Sequence, residues 1–91
     1  MHDAFCKRPA DHLDYDFDFS RWLSDGDRID EASATLCGVS ASITSVTNSQ
    51  TMARVWIDGG QTGQTGQIAV IVKTVQGRQK EVVAQLRITE A

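Results

Sequence analysis

The sequence predicts an all-β protein built as a single antiparallel β-sandwich. Apolar and polar residues alternate with a period of two along most of the 91 residues, the pattern of strands with one buried face. Turn-forming residues recur about every ten positions, a spacing typical of antiparallel sandwiches. No segment keeps apolar residues three and four apart over three turns, as an amphipathic helix requires. Together these observations predict six or seven strands in an immunoglobulin-like arrangement.

The clearest alternation lies in residues 13–19, which read Leu-Asp-Tyr-Asp-Phe-Asp-Phe. Because successive side chains of a strand point to opposite faces, the four odd-numbered apolar residues are predicted to face the core. The aspartates Asp14, Asp16 and Asp18 then face water on the other side. Charge on a strand discourages further pairing, so we expect this strand at the edge of a sheet.

The middle of the chain continues the pattern. Trp22 follows the acidic strand and is expected to cap one end of the sandwich, in extended chain or in a single helical turn, before a turn at residues 25–27. Residues 29–37 alternate small apolar with polar side chains, which predicts a strand crowded by a neighbour and ended by Gly38. Two more strands are predicted over residues 39–44 and 52–58, with a polar turn between them.

The last third begins with a flexible loop, residues 59–66, that contains four glycines. Residues 68–75 are nearly all β-branched or apolar, as expected of a central strand buried on both faces. A turn at residues 76–78 leads to a final strand over residues 81–89, whose even-numbered apolar residues are predicted to share one face.

Length and charge exclude several classes of protein. A chain of 91 residues that is 41% apolar has room for one thin core and not for two lobes with a cleft between them. Residues 1–31 carry 9 acidic and 4 basic side chains, a balance of −5, whereas residues 32–91 carry 3 and 5, a balance of +2. No nucleic-acid partner is expected, because such proteins neutralise phosphates with a basic stripe. No apolar run approaches the roughly 18 residues of a membrane helix, so no membrane partner is expected either.

The candidate catalytic and metal-binding motifs lack the spacing or the residues that their chemistry requires. A calcium loop counted from Asp14 has Phe19 at its sixth position, where glycine is required. Cys6, Cys37 and the two histidines do not form the closely spaced pairs of a zinc site, and we expect both thiols to be free. The glycine-rich loop lacks the lysine of a phosphate-binding loop, and no nucleophile elbow occurs. We therefore expect no enzyme activity, no metal and no cofactor.

Exposed aromatic and charged residues are the better candidates for function. Trp56 alternates with Val55 and Ile57 and so shares a strand face with Arg54. If the aliphatic pair faces the core, tryptophan and arginine face outward together, which is the composition of an interface hot spot. Packing across strands is the alternative interpretation of this tryptophan. The residues predicted to form a protein interface are Asp14, Asp16, Asp18, Trp22, Arg54 and Trp56.

A series of short motifs runs along nearly the whole chain. It comprises K-R-P at 7–9, L-D-Y at 13–15, D-F-S-R-W-L at 18–23, G-D-R-I at 26–29, V-W-I-D-G-G at 55–60, Gly63 and G-R at 77–78. In order and position this series resembles the fibre–tail adaptor family, small structural proteins of tailed bacteriophages. Phe19 stands where the family pattern has tryptophan, and Cys6 and Cys37 are not part of that pattern.

The resemblance implies an immunoglobulin-like protein of the virion neck or tail, synthesised in the host cytoplasm and without catalytic activity. It would link the tail or connector ring to the tail fibres. The partners it implies are other copies of itself in a symmetric ring, portal, adaptor or tail-tube proteins, and the tail fibre. Two alternatives stay open: a capsid decoration protein, and a carbohydrate-binding module in which Trp22 and Trp56 form a sugar-stacking platform.

The chain is expected to divide into two parts. Residues 1–12 lack the period of two and are expected to form an N-terminal arm that orders only against a neighbouring subunit. Residues 13–91 are expected to form the sandwich domain.

Overall fold

Seven strands form two facing sheets in the computed structural model, which describes residues 4–90. In chain order they are β1 (Ala4–Lys7), β2 (His12–Asp18), β3 (Ile29–Cys37), β4 (Ser42–Asn48), β5 (Met52–Asp58), β6 (Thr65–Thr74) and β7 (Gln79–Ile88). The first sheet has the order β1-β7-β6-β3, and the second has the order β2-β5-β4. The predicted all-β sandwich is confirmed, and the described part of the chain contains no helix.

The strands pair antiparallel in every case but one, because β1 lies parallel to β7. The strands β2, β5 and β4 occupy the positions of strands B, E and D of a seven-stranded immunoglobulin domain, and β3, β6 and β7 occupy those of C, F and G. The first strand lies on the sheet of C, F and G instead of beside β2. The strand order therefore agrees with the immunoglobulin-like interpretation.

The core lies between the sheets and follows the alternation of the sequence. In β2 the side chains of Tyr15 and Phe17 are buried, as is Phe19 just after the strand, whereas the aspartates between them lie on the outer face. Leu13, at the start of the strand, was expected in the core but is 43% exposed. The other buried apolar residues are Ile29, Ala53, Val55, Ile57, Ile68, Val70, Val72, Ala84, Leu86 and Ile88.

The structure of the N-terminal segment differs from the expected arm. Residues 4–7 form β1, an edge strand of the first sheet, and β2 already begins at His12. Lys7 is 2% exposed, and Phe5 packs against the rings of Tyr15 and Phe17. This part of the predicted arm is therefore built into the sandwich, because β7 supplies its backbone partners and the core covers its aromatic ring. Residues 1–3 of the predicted arm lie outside the described residues.

The chain changes sheets at residues 38–41, and this shortens the strand that was predicted from residue 39. Gly38 has a φ of 82°, and the fourth strand begins only at Ser42. Gly66 of β6 lies beneath this crossing, and a side chain there would overlap the carbonyl oxygen of Cys37. The close approach of two backbones explains why both positions are glycine.

The central strand β6 is buried on one face only. Ile68, Val70 and Val72 are fully buried, whereas Ala69 and Ile71, on the other face, are half-buried. The prediction of burial on both faces differs from this result because no third layer covers the first sheet within residues 4–90.

Both cysteines are free, as predicted, and both are exposed. Cys6 lies on β1 and Cys37 on β3, the two edge strands of the first sheet. Three steps between neighbouring strands, at about 4.8 Å each, separate the two strands by about 14 Å, twice the roughly 7 Å that a disulfide can span between Cα atoms.

Candidate functional site

The outer face of the second sheet brings together four of the six residues predicted to form an interface. In the register of β2 and β5, Asp14 lies opposite Trp56 and Asp16 lies opposite Arg54. All four side chains point away from the core, because Tyr15, Phe17, Val55 and Ile57 occupy the inward positions between them. We call these four residues, Asp14, Asp16, Arg54 and Trp56, the acidic–aromatic face.

Arg54 organises the charge on the acidic–aromatic face. Its Nε lies 2.8 Å from Oδ1 of Asp16 and 3.1 Å from Oδ2 of Asp14, and its Nη2 donates to Oδ2 of Asp16 at 3.3 Å. The hydrogen bond from Arg54 lowers the pKa of Asp16, and the two carboxylates raise the pKa of Arg54. Since one guanidinium serves two carboxylates, this patch keeps a net negative charge of one.

Asp18 is separated from this arrangement although it belongs to the same alternating series. Its Oδ1 accepts a hydrogen bond from the backbone N–H of Ser20 at 2.8 Å, and this bond lowers the pKa of Asp18. The carboxylate thus closes the turn that follows β2, as aspartates do where a chain leaves a regular element. The third predicted aspartate has a local structural role.

Trp56 is half-buried, and its neighbours His12 and Thr44 are not among the residues predicted to form the interface. The ring of His12 meets it edge-on, with centroids 5.4 Å apart and an interplanar angle of 66°. The His12 Nε2 lies 2.9 Å from Thr44 Oγ1. His12 is in phase with Asp14 and Asp16, so the period of two extended by one step would have found it. Thr44 gave no such signal, because a bulge between Ile43 and Ser45 shifts the register of β4 at this point.

Trp22 lies apart from the acidic–aromatic face, at the end of the sandwich beyond β2. The Arg78 guanidinium carbon is 4.3 Å from the centre of its ring, and the Phe19 ring meets it edge-on at 6.4 Å. Arg78 also donates to the hydroxyl of Ser24. The tryptophan packs against the core and is covered by a cation, the arrangement expected of an end cap. Trp22 and Trp56 therefore do not share one flat platform.

A shallow depression adjoins the acidic–aromatic face. It has a volume of about 310 Å³ and is lined by Asp16, Thr47, Asn48, Ser49, Met52 and Arg54. The lining offers carboxylate, amide and hydroxyl groups around one arginine. Within residues 4–90 no group of three or more histidine, cysteine or acidic side chains is placed to hold a metal ion. No helix among those residues is long and apolar enough to cross a membrane. The groups that line the depression can form hydrogen bonds and charge pairs with another polar surface.

Comparison with protein families identifies the chain. A family model described as podophage GP4 fiber-tail adaptor protein gp77 matches residues 7–87. The chain belongs to this family. A comparison with curated proteins finds no match. The resemblance predicted from the motifs is thereby confirmed, and a structural role in the tail of a bacteriophage particle follows from it.

Two of the adaptor-family motifs, K-R-P and V-W-I-D-G-G, meet at the end of the sandwich where His12 and Asp58 lie. Lys7, in the first motif, donates from Nζ to the carbonyl oxygen of Gly59 at 2.6 Å and to that of Arg8 at 2.7 Å. Gly60 follows with a φ of 103° and lies against the side chain of Ile88. The K-R-P and V-W-I-D-G-G motifs thus bind each other across 52 residues of chain.

Three further motifs meet at the opposite end. Asp27, in G-D-R-I, accepts hydrogen bonds at Oδ1 from the backbone N–H of Arg28 at 2.9 Å and of Gln76 at 3.2 Å. Arg78, in the G-R motif, covers Trp22 of D-F-S-R-W-L. Several motif residues therefore hold loops in place at the two ends of the sandwich, and V-W-I-D-G-G and L-D-Y also contribute residues to the acidic–aromatic face.

Proposed function

We propose that this protein is a fibre–tail adaptor of the virion neck, which links the tail or connector ring to the tail fibres. The observation that carries the proposal is the family match over residues 7–87, nearly the whole chain. In this role the protein is synthesised in the host cytoplasm and joins the particle as copies in a symmetric ring. Portal, adaptor or tail-tube proteins bind it on one side and the tail fibre on the other. It performs no catalysis.

The acidic–aromatic face is the contact surface in this proposal. The side chain of Arg54 is still 49% exposed after pairing with Asp14 and Asp16, so it can bind a further acceptor. The two carboxylates hold the guanidinium in place, which reduces the side-chain entropy lost when a partner binds. Trp56 adds a large and partly ordered apolar surface beside it, and Trp and Arg are the residues most enriched in binding hot spots.

Incorporation into particles tests the contact surface. Phage carrying Trp56→Ala or Arg54→Ala are expected to contain several-fold fewer copies of the protein, counted by quantitative mass spectrometry of purified particles. The isolated variants are expected to keep the far-ultraviolet circular dichroism of the unmodified protein, since both side chains lie outside the core. Gln67→Ala is the matched control, because Gln67 is exposed on the outer face of the first sheet. Normal copy numbers in both variants would contradict the choice of this face.

The location of the protein tests the adaptor role itself. Electron cryomicroscopy of particles with a tagged copy is expected to show the added density at the tail vertex, between the connector and the fibres. Density spread across the capsid shell would indicate a decoration protein instead. Binding of the isolated chain to a glycan array, abolished by Trp56→Ala, would indicate a carbohydrate-binding module.

A further inference from the structure

The strand β3 presents a long unpaired edge. It has nine residues, Ile29–Cys37, and lies at the end of the first sheet, where β6 is its neighbour on one side. On the other side, within the described chain, residues 30–37 have no backbone hydrogen-bond partner. Ala32, Ala34 and Leu36 face the interior but are only half-buried. Both the backbone groups and the apolar side chains of this edge are therefore incompletely covered.

The other three edges of the sandwich carry features that hinder strand addition. β1 has only four residues, β2 carries three aspartates, and β4 is interrupted by a bulge between Ile43 and Ser45, whereas the irregularity of β3 lies at its start, between Ile29 and Glu31. Short length, charge and bulges are the devices by which proteins protect sheet edges. Residues 32–37, by contrast, contain no charge and no proline. This stretch of β3 is the unprotected edge among the described strands.

We propose that a second copy of this chain pairs with this edge, β3 against β3 in antiparallel orientation, with Ala34 on the two-fold axis. In this register Leu36 lies opposite Ala32 of the second copy, so that a large side chain meets a small one on the inner face. On the outer face Ser33 lies opposite Thr35 of the second copy, a hydroxyl pair that stabilises antiparallel strands. The strand is thus complementary to itself.

Charge selects the antiparallel orientation. Asp30 and Glu31 lie at the beginning of β3, and Glu31 is paired with Lys73 at 3.4 Å. A parallel pair in register would place both acids beside the same acids of the second copy, which is unfavourable. In the antiparallel pair Glu31 lies opposite Cys37 of the second copy, and Asp30 lies at the irregularity of β3, beyond the paired stretch. The carboxylates of the two copies are then at opposite ends of the contact.

The pairing is independent of the proposed function. A two-fold contact uses the same surface on both copies and closes on itself, so it cannot by itself build a ring. The ring contacts would use other surfaces, such as the acidic–aromatic face. Failure of the β3 pairing would leave the adaptor role intact, and failure of particle incorporation would leave the pairing intact.

Sedimentation velocity of the purified full chain tests the pairing. The unmodified protein is expected to dimerise, and Ser33→Lys is expected to raise the dissociation constant at least tenfold, because it places a charge on the paired edge. Gln85→Lys is the matched control, since it adds the same charge on β7, an interior strand of the same sheet. The proposal would be overturned if the chain remained monomeric at concentrations up to about 1 mM, where even weak complexes form. Equal effects of the two lysines would overturn it as well.

A distance measurement tests the orientation. In a Cys6→Ser background, a nitroxide on Cys37 gives one label per copy. Six residues at about 3.4 Å each separate the Cα atoms of the two Cys37 residues by about 20 Å in the antiparallel pair, against about 5 Å in a parallel one. A dipolar spectrum near the longer distance supports the proposed register, and strong short-range broadening contradicts it.

Discussion

Replacement of Gly66 by alanine tests whether the close approach of β6 to the sheet crossing determines the residue at this position. Gly66 is buried and does not have a positive φ, so alanine is compatible with its backbone conformation. A Cβ atom there would overlap the carbonyl oxygen of Cys37 and would lie 3.0 Å from Cγ1 of Val39. The first of these atoms belongs to the backbone and cannot rotate away, so β3 would have to move.

The magnitude follows from what such a movement disrupts. Overpacking in a well-packed interior costs about 1–3 kcal/mol. Displacing the end of β3 also weakens its pairing with β6 near Cys37 and Gln67, at about 1 kcal/mol for each hydrogen bond lost. We therefore expect Gly66→Ala to lower the free energy of unfolding by about 2–4 kcal/mol. For a domain of this size the total is only about 5–14 kcal/mol.

Urea unfolding followed by tryptophan fluorescence measures this loss. Gly77→Ala is the informative control, because Gly77 has a φ of 86° but has no atom within 4 Å of an added Cβ. Alanine at this control position is expected to cost about 1–2 kcal/mol through its left-handed conformation alone. If crowding at residue 66 determines the cost, Gly66→Ala is therefore expected to lose more stability than Gly77→Ala, although Gly66 does not have a positive φ. If Gly66→Ala unfolds at the same urea concentration as the unmodified protein, or loses no more than Gly77→Ala, the crowding account is refuted.

Three further predictions concern the core residue Phe17, the buried Lys7 of β1 and the ion pair between Asp16 and Arg54. Phe17→Ala is expected to lower the free energy of unfolding by about 3–5 kcal/mol, because Phe17 is fully buried, and Phe17→Leu by much less; urea unfolding of both variants measures the difference. Lys7→Met is expected to cost about 1–3 kcal/mol, since the carbonyl oxygen of Gly59 loses its donor, and faster amide hydrogen exchange in residues 4–7 would show the loosening of β1. The lowered pKa of Asp16 means that the native state binds its proton less readily than the unfolded chain does, so its contribution to stability is present above about pH 4 and is lost as the pH falls through the native pKa. The stability of Asp16→Asn between about pH 2 and 6 should accordingly fall less steeply on acidification than that of the unmodified protein, and identical slopes would contradict the assignment.

The period of two was sufficient to predict most of the sandwich, because alternation is a local property of each strand. Residues 13–19 show this most clearly: the buried Phe17, the outward Asp16 and the edge position of β2 all follow from the order of residues alone. The same reasoning placed Arg54 and Trp56 on one outer face. Where alternation was weak or interrupted, the prediction was less accurate, as at the crossing after Gly38 and in residues 4–7.

The alternation of apolar and polar residues does not predict contacts between segments that are distant in the sequence. The sequence of residues 4–7 does not predict a strand, because β1 is stabilised by parallel pairing with β7, some 80 residues later. The burial of Lys7 likewise depends on a carbonyl oxygen 52 residues away. The aspartate series looked uniform, but only the register of β2 against β5 joins Asp14 and Asp16 to Arg54 and leaves Asp18 to its own turn.

By itself, then, the sequence determined the fold class, the inward and outward residues of most strands, and the motifs of the adaptor family. The tertiary structure alone decided which outward residues meet, which motif residues fasten the two ends of the sandwich, and which edge remains unpaired. The physical reason is that the direction of a side chain within a strand depends on that strand alone. Register, edge exposure and the partners of a buried charge depend on the packing of all seven strands together.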